Sequence, residues 1–367
     1  MILQLLVGTY GGQIYKIDVD SATFELSGCD TVFIDNASYL ACSADGRYFY
    51  AISESGADSK LSSFSLERPY ELLSQLKGVQ MDPCFVMRRQ VNSGGEDHTF
   101  LLTGDYSAGS ISVYPVSGGK LEPAIQVVKF HCKGLDPVRQ PSSHIHQLKT
   151  FSSFLFASDL GGDRLHVLKM NEDGGVLHLD SLYDVRTAPG SGPRHMEISE
   201  DGSRLYLLTE MSREILVYSL EYGSLAGNGS GVGMNLIQTL FIGDDDATVI
   251  SQNPLEPGVN TQSGGDIHIH PDGKVLYASL RNGADKIAVF DINADGTLKS
   301  RSFQRTALHP RNFTVLPDGR TMIVPCKNSD LIQFFNIDPV TGALSDTGKT
   351  IRLTCPVLTV PLFKCCN

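Results

Sequence analysis

An all-β protein, built as a ring of seven four-stranded antiparallel sheets, is what three features of the sequence predict. A turn followed by a short alternating strand recurs seven times, as GGQIYKIDV, DSKLSSFSL, AGSISVYPV, GDRLHVLKM, SREILVYSL, ADKIAVFDI and SDLIQFFNI. Their matching apolar residues, Ile14, Leu61, Ile111, Leu165, Ile215, Ile287 and Ile332, are 47, 50, 54, 50, 72 and 45 residues apart. One insertion accounts for the single long interval. An Asp-Gly pair precedes most copies, in DGRYFYAIS, DGSRLYLLT, DGKVLYASL and DGRTMIVPC, and both residues tolerate the positive φ of a tight hairpin. The first copy lacks an opening strand, whereas the chain ends on a spare one, CPVLTVPLF. A seven-bladed β-propeller whose C-terminal strand completes the first blade uses both and leaves no long free edge.

Each unit reads as strand, Asp-Gly turn, strand, loop, strand, turn, strand, with strands of five to eight residues and no competing helical stripe. The whole chain, residues 1–367, forms one such domain in this reading, with a long acidic loop at 243–264 between blades five and six. That loop is expected to lie on the same face as the site, either as a lid over the substrate or as a disordered insertion. The absence of tryptophan argues against a WD40 array, whose repeats carry Trp-Asp pairs.

Composition narrows the function classes. Hydrophobic residues make up 41% and charged residues 19%, which suits a soluble globular protein. A net charge of −11 argues against a general nucleic-acid partner, so any anion site must be a local cluster of cations. No apolar run is long enough for a membrane helix. The opening MILQLLVGTY lacks a basic flank and reads as a strand, so a cytoplasmic location is expected. The cysteines, Cys29, Cys42, Cys84, Cys132, Cys326, Cys355, Cys365 and Cys366, are dispersed without a CxxC pair and read as reduced thiols.

Topology alone says where chemistry can gather. In an antiparallel blade the starts of the first strands and the ends of the second strands share one face around the central channel. The first-strand starts supply His144 and His146, Arg194 and His195, Asp266 and His268, and Arg311. The second-strand ends supply Tyr10, Glu54, Asp105, Tyr106, Asp159, Glu210, Arg281 and Lys327. Asp105 and Asp159 read as turn caps. Several arginines converging on one mouth call for an anion to offset them. The pairs His144/His146 and His268/His270 raise the question of zinc, but further ligands at suitable spacing are lacking, so no metal and no cofactor is expected.

The stretches VGTY, RQPSSHIHQ with ASDLGGDRL, GPRHMEIS, LLTE, DIHIHPDGKVLYASLRNGADKIAVF and PRNFTVLPDGR resemble the seven-bladed propeller lactonase family. That family includes 6-phosphogluconolactonases and fungal carboxy-cis,cis-muconate cyclases, and the resemblance spans all seven blades in order. The catalytic residues proposed for the cyclase branch match His146, Arg194, Glu210 and Arg281 here. His144, His195, Asp266, His268, Arg311, Lys327 and Tyr10 are expected to bind substrate. Where the family usually has Ala-Ala before a carboxylate, this chain has Gly264 and Gly265 before Asp266. Lys327 stands where glutamine is frequent.

The resemblance implies hydrolysis of a small anionic lactone, foremost 6-phosphoglucono-δ-lactone. Arginines would hold phosphate and oxyanion, and Glu210 or His146 would activate water. Two rival readings use the same fold: lactone formation by a muconate cyclase, and a binding scaffold without catalysis. A calcium-dependent gluconolactonase ranks below these because cations dominate the mouth. Neither a membrane nor a nucleic acid is expected as partner, and the sequence leaves the oligomeric state open.

Overall fold

The computed structural model describes residues 2–225, 229–243 and 262–362. Seven sheets, each paired antiparallel throughout, follow one another along the chain. In blades four to seven, sheet order equals chain order, with inner strands Ile145–Phe151, Pro193–Ile198, Ser263–Ile269 and Thr314–Val315. The first blade is completed by the last strand, Pro356–Pro361, which pairs with Ile2–Thr9 on its inner side. Closure by the C-terminal strand is therefore as the sequence implies. The third blade departs from four strands: Lys120–Leu121 and Gln126–Lys129 both pair with Ser110–Ser117, so its outer strand is split in two.

The seven repeated apolar residues all lie in the third strand of a blade, and all seven are fully buried. Alternation sends one face of each strand toward the preceding blade and the other toward the next. The core accordingly consists of seven apolar clusters, one at each junction between neighbouring blades. The cluster of Leu5, Val7 and Ile17 with Ile323, Ile332 and Phe334 joins the first blade to the last. Burying a Leu or Ile of this kind contributes about 1.5–3 kcal/mol, so ring closure is set by packing as well as by strand pairing.

The Asp-Gly turns join first to second strands on the face opposite the site. Only the glycines, Gly46, Gly202, Gly273 and Gly319, take positive φ. Each aspartate instead turns its carboxylate to the amide two residues on, as Asp201 does to Ser203 at 2.9 Å and Asp272 to Lys274 at 2.9 Å. The expectation of two positive-φ residues is thus replaced by an Asx turn with one. The segment 244–261, which holds most of the expected acidic loop, lies outside the described residues, as do Cys365 and Cys366. No helix among the described residues is long and apolar enough to cross a membrane.

Candidate active site

The inner strands of blades three to six begin with a break in register. The pairing to the second strand shifts between Pro83 and Phe85, Ile145 and Gln147, Pro193 and His195, and Gly264 and Ile267. Cys84, His146, Arg194 and the pair Gly265–Asp266 stand at these shifts. An extra residue in one strand of a pair is left out of the ladder and its side chain is re-aimed. Serine hydroxyls of the second strands accept amides freed there: Gln147 N–H donates to Ser158 Oγ at 3.0 Å, and Asp266 N–H to Ser279 Oγ at 2.7 Å. The bulges therefore turn polar side chains toward the channel while the backbone stays satisfied.

Glu210 follows the second strand of blade five and is buried among arginines. Its Oε2 accepts from Arg194 Nε at 2.9 Å and from Arg281 Nη2 at 2.6 Å, while its Oε1 accepts from Arg139 Nη2 at 2.5 Å. Arg194 Nη1 also donates to Gly265 O, and Arg281 Nε to Gly264 O at 3.2 Å. The two glycines let this strand start pack closely against its neighbours. A Cβ on Gly264 would stand 2.3 Å from Thr209 O, and one on Gly265 would stand 2.3 Å from Ser279 Oγ. Burial pushes the Glu210 carboxyl up, but Arg281, Arg194 and Arg139 outweigh it and hold the group far below the usual carboxylate range. Burial and Arg194 lower Arg281 to about 9, so it remains a cation at neutral pH.

A second cluster stands beside the first. Tyr10 O–H donates to Glu54 Oε2 at 2.7 Å, and Ser38 O–H donates to Glu54 Oε1. The Tyr10 ring lies beneath the Arg311 guanidinium at 5.5 Å and the Lys327 ammonium at 5.0 Å, distances at which a ring face attracts a cation. Arg311 Nη2 is 3.8 Å from Glu54 Oε1, beyond hydrogen-bonding reach. Five cationic groups, Arg139, Arg194, Arg281, Arg311 and Lys327, thus share one mouth with three carboxylates, Glu54, Glu210 and Asp266. The local excess is positive in a chain whose net charge is −11.

Next to the arginines stand two neutral imidazoles. His146 and His195 meet edge to face with ring centroids 5.1 Å apart. Burial, then Arg194, lowers His146 well below 6.5, and the same causes lower His195 to about 4. His195 Nδ1 donates to Asp266 Oδ1 at 2.5 Å, whereas His146 Nδ1 is buried without a hydrogen-bond partner among the described residues.

Asp266 also accepts from His268 Nε2 at 2.9 Å, and His268 Nδ1 donates to Glu197 Oε1 at 3.0 Å. Lys149 Nζ donates to the other oxygen of Glu197 at 2.6 Å. His268 therefore lies a layer deeper than the mouth, inside a charged chain that runs down the channel. It follows Asp266 by two residues on a strand directed away from the rim, and its side chain keeps 30% exposure. Burial pushes His268 down, yet Asp266 and Glu197 more than offset this and raise it to about 10.

His144 stacks on Tyr106 at 4.3 Å and turns Nδ1 to the Tyr106 carbonyl at 2.8 Å. His270 Nε2 donates to Gly319 O at 2.9 Å. Both histidine pairs thus divide between different tasks. Among the described residues, one group has metal-ligating atoms close together, Cys132, Asp159 and His166. There Asp159 Oδ1 already caps the amides of His144 and Gly162 at 2.7 and 2.8 Å, as expected of a turn cap.

The structure brings His146, Arg194, His195, Glu210, Asp266, Arg281, Arg311, Lys327 and Tyr10 together around one end of the channel. Sequence reasoning passed over Arg139, Asn312 and Glu197, and used Glu54 only as a strand end. Arg139 sits on a loop, where alternation gives no direction. Glu197 and Asn312 did carry a signal: Glu197 is two residues beyond His195 on the same strand face, and Asn312 adjoins Arg311.

This fold and this mouth define a seven-bladed β-propeller with an excess of cationic side chains at one end of its channel. Residues 4–361 match the family model described as Lactonase, 7-bladed beta-propeller, and the chain belongs to that family. It is 30% identical over 347 residues to a 6-phosphogluconolactonase of Formosa agariphila, covering 91% of each chain. It is 28% identical to a 6-phosphogluconolactonase of Bacillus subtilis, covering 96% of each. Among solved structures, a periplasmic gluconolactonase of Pseudomonas aeruginosa superposes with a TM-score of 0.83 at 26% identity, covering 98% of this chain and 99% of the other.

Proposed function

We propose that this chain hydrolyses a sugar lactone carrying a phosphate, converting 6-phosphoglucono-δ-lactone to 6-phosphogluconate. The observation that carries the reading is the convergence of five cations on one mouth in an acidic protein. The relatives named as 6-phosphogluconolactonases support it. Among the described residues, Arg311 and Lys327 stand over Tyr10 with no carboxylate within hydrogen-bonding distance, so their donors are available to a phosphate. Arg194 and Arg281 are fixed by Glu210 and by two carbonyls, which pre-orients their remaining N–H groups toward a developing oxyanion.

Of the two candidates for the base, the surroundings favour His146. Glu210 is committed to three guanidinium groups, and a carboxylate so stabilised is a weak proton acceptor. Its part is to hold the arginines in place. His146 is neutral at physiological pH and has an uncommitted ring nitrogen. Water attacks the lactone carbonyl as its proton passes to His146 Nδ1. The tetrahedral oxyanion rests on the arginines. Collapse breaks the bond to the ring oxygen, which leaves with the proton returned by His146, and the new carboxylic acid ionises.

The test is hydrolysis of freshly made 6-phosphoglucono-δ-lactone beside unphosphorylated gluconolactone, with wild type and Arg311→Ala. Wild type should prefer the phosphorylated lactone. The variant should lose about tenfold or more in kcat/KM on that substrate alone, since hydrogen bonds to charged groups contribute roughly 1.5–3 kcal/mol. Equal wild-type rates on both lactones would remove the phosphate from the mechanism and favour a gluconolactonase like the Pseudomonas neighbour.

A further inference from the structure

Beside Arg194 and Arg311 lies a cavity of about 10 Å³, bordered also by His146, His195, Asn312 and Cys84 among others. That is room for the centre of about one water molecule. Two lining residues carry a buried polar atom with no hydrogen-bond partner among the described residues: His146 at Nδ1 and Asn312 at Oδ1. His146 is 4% exposed and Asn312 5%, so bulk solvent does not satisfy either atom. An unsatisfied buried acceptor is costly, and a site with two of them beside a water-sized space is built to be filled.

The orientation of Asn312 is not free. Its Nδ2 donates to Asp266 Oδ2, which also accepts from His268. A carboxylate can only accept, so Asp266 draws the amide NH₂ to itself and leaves the amide oxygen at the other end of the group. Asp266 is in turn held by His195 Nδ1 at 2.5 Å and His268 Nε2 at 2.9 Å.

We infer that this cavity seats the water that attacks the lactone, with Asn312 as its second acceptor and Asp266 as the positioning residue that turns Asn312. The inference rests on the hydrolytic reading above. A water that donates one hydrogen to His146 Nδ1 and the other to Asn312 Oδ1 has both protons anchored, so its lone pairs point away from both. As the oxygen–carbon bond forms, one proton passes to His146 and the other stays on the oxygen, still donated to Asn312. Orienting a nucleophile in this way removes entropy from the barrier, and it distinguishes adding water from closing a ring.

The experiment separates turnover from substrate binding on one lactone. Asn312→Leu keeps the volume and removes the acceptor, and Asn312→Ala serves if the leucine variant fails to fold. The expected result is a fall of about tenfold or more in hydrolytic kcat with KM within about twofold of wild type. Asp266→Asn should give the same split, because a side-chain amide at 266 no longer dictates which end of Asn312 it attracts. An unchanged kcat in Asn312→Leu, or a rise in KM that accounts for the whole loss, would overturn the inference. Failure of wild type to hydrolyse any sugar lactone would instead overturn the reading on which it rests.

Discussion

Replacing Glu210 with glutamine keeps the shape of the site and removes the charge that three guanidinium groups share. The bonds to Arg194 and Arg281 are buried, with side-chain exposure of 1% for Arg194 and 6% for Arg281 and Glu210. Arg139 is 42% exposed and can turn to solvent, so its bond counts for little. Removing one partner of a buried pair leaves uncompensated charge at a cost of about 3–5 kcal/mol. At roughly 2 °C per kcal/mol for a chain of this length, Glu210→Gln should melt about 6–10 °C below wild type.

The freed arginines should then take an anion instead. Inorganic phosphate should raise the melting temperature of the variant more than that of wild type, because a ligand that binds only the folded state stabilises it. The pH dependence has a definite sign. The folded Glu210 carboxyl lies below its ordinary 4.5, so its contribution is present above that value and is lost as pH falls toward the folded one. Wild type should show this acid limb and the variant should not. A variant that melts within about 2 °C of wild type, with the same response to phosphate, would refute the clamp.

Two further outcomes concern the histidines. His268 is raised from 6.5 to about 10, so its stabilising contribution is complete below 6.5 and fades as pH climbs to about 10; melting curves of His268→Gln should lose that alkaline decline. His146 lies well below 6.5. The kcat/KM profile of the free enzyme should therefore stay level through pH 6.5 on the acid side, and an inflection at 6.5 would point to an ordinary, solvated histidine as base.

Seven repeats, Asp-Gly turns and a spare terminal strand are local facts of the chain, so the ring and its closure were legible before any coordinates. Chain direction in an antiparallel blade also placed Arg194, Glu210, Arg281 and Arg311 at one mouth. Depth was harder to read. Asp266 and His268 share a strand face in any alternating pattern, yet only the pairing with Glu197 and Lys149 shows that His268 belongs to the channel interior. Arg139 escaped notice because a loop has no period to follow.

The sequence by itself determined the number of sheets, the way they close, and the sign of the charge at one end of the channel, since each depends on residue order along the chain. Tertiary structure decided which of those charges are already spent. In the sequence Glu210 is one of two candidate bases, with His146; in the fold it accepts from three arginines, because its partners come from a loop and two different blades. The bulges at His146 and Arg194 come from strand register, which a one-residue slip reverses. Alternation along one strand carries no record of its neighbour's register, and that is why the direction of these side chains had to be seen.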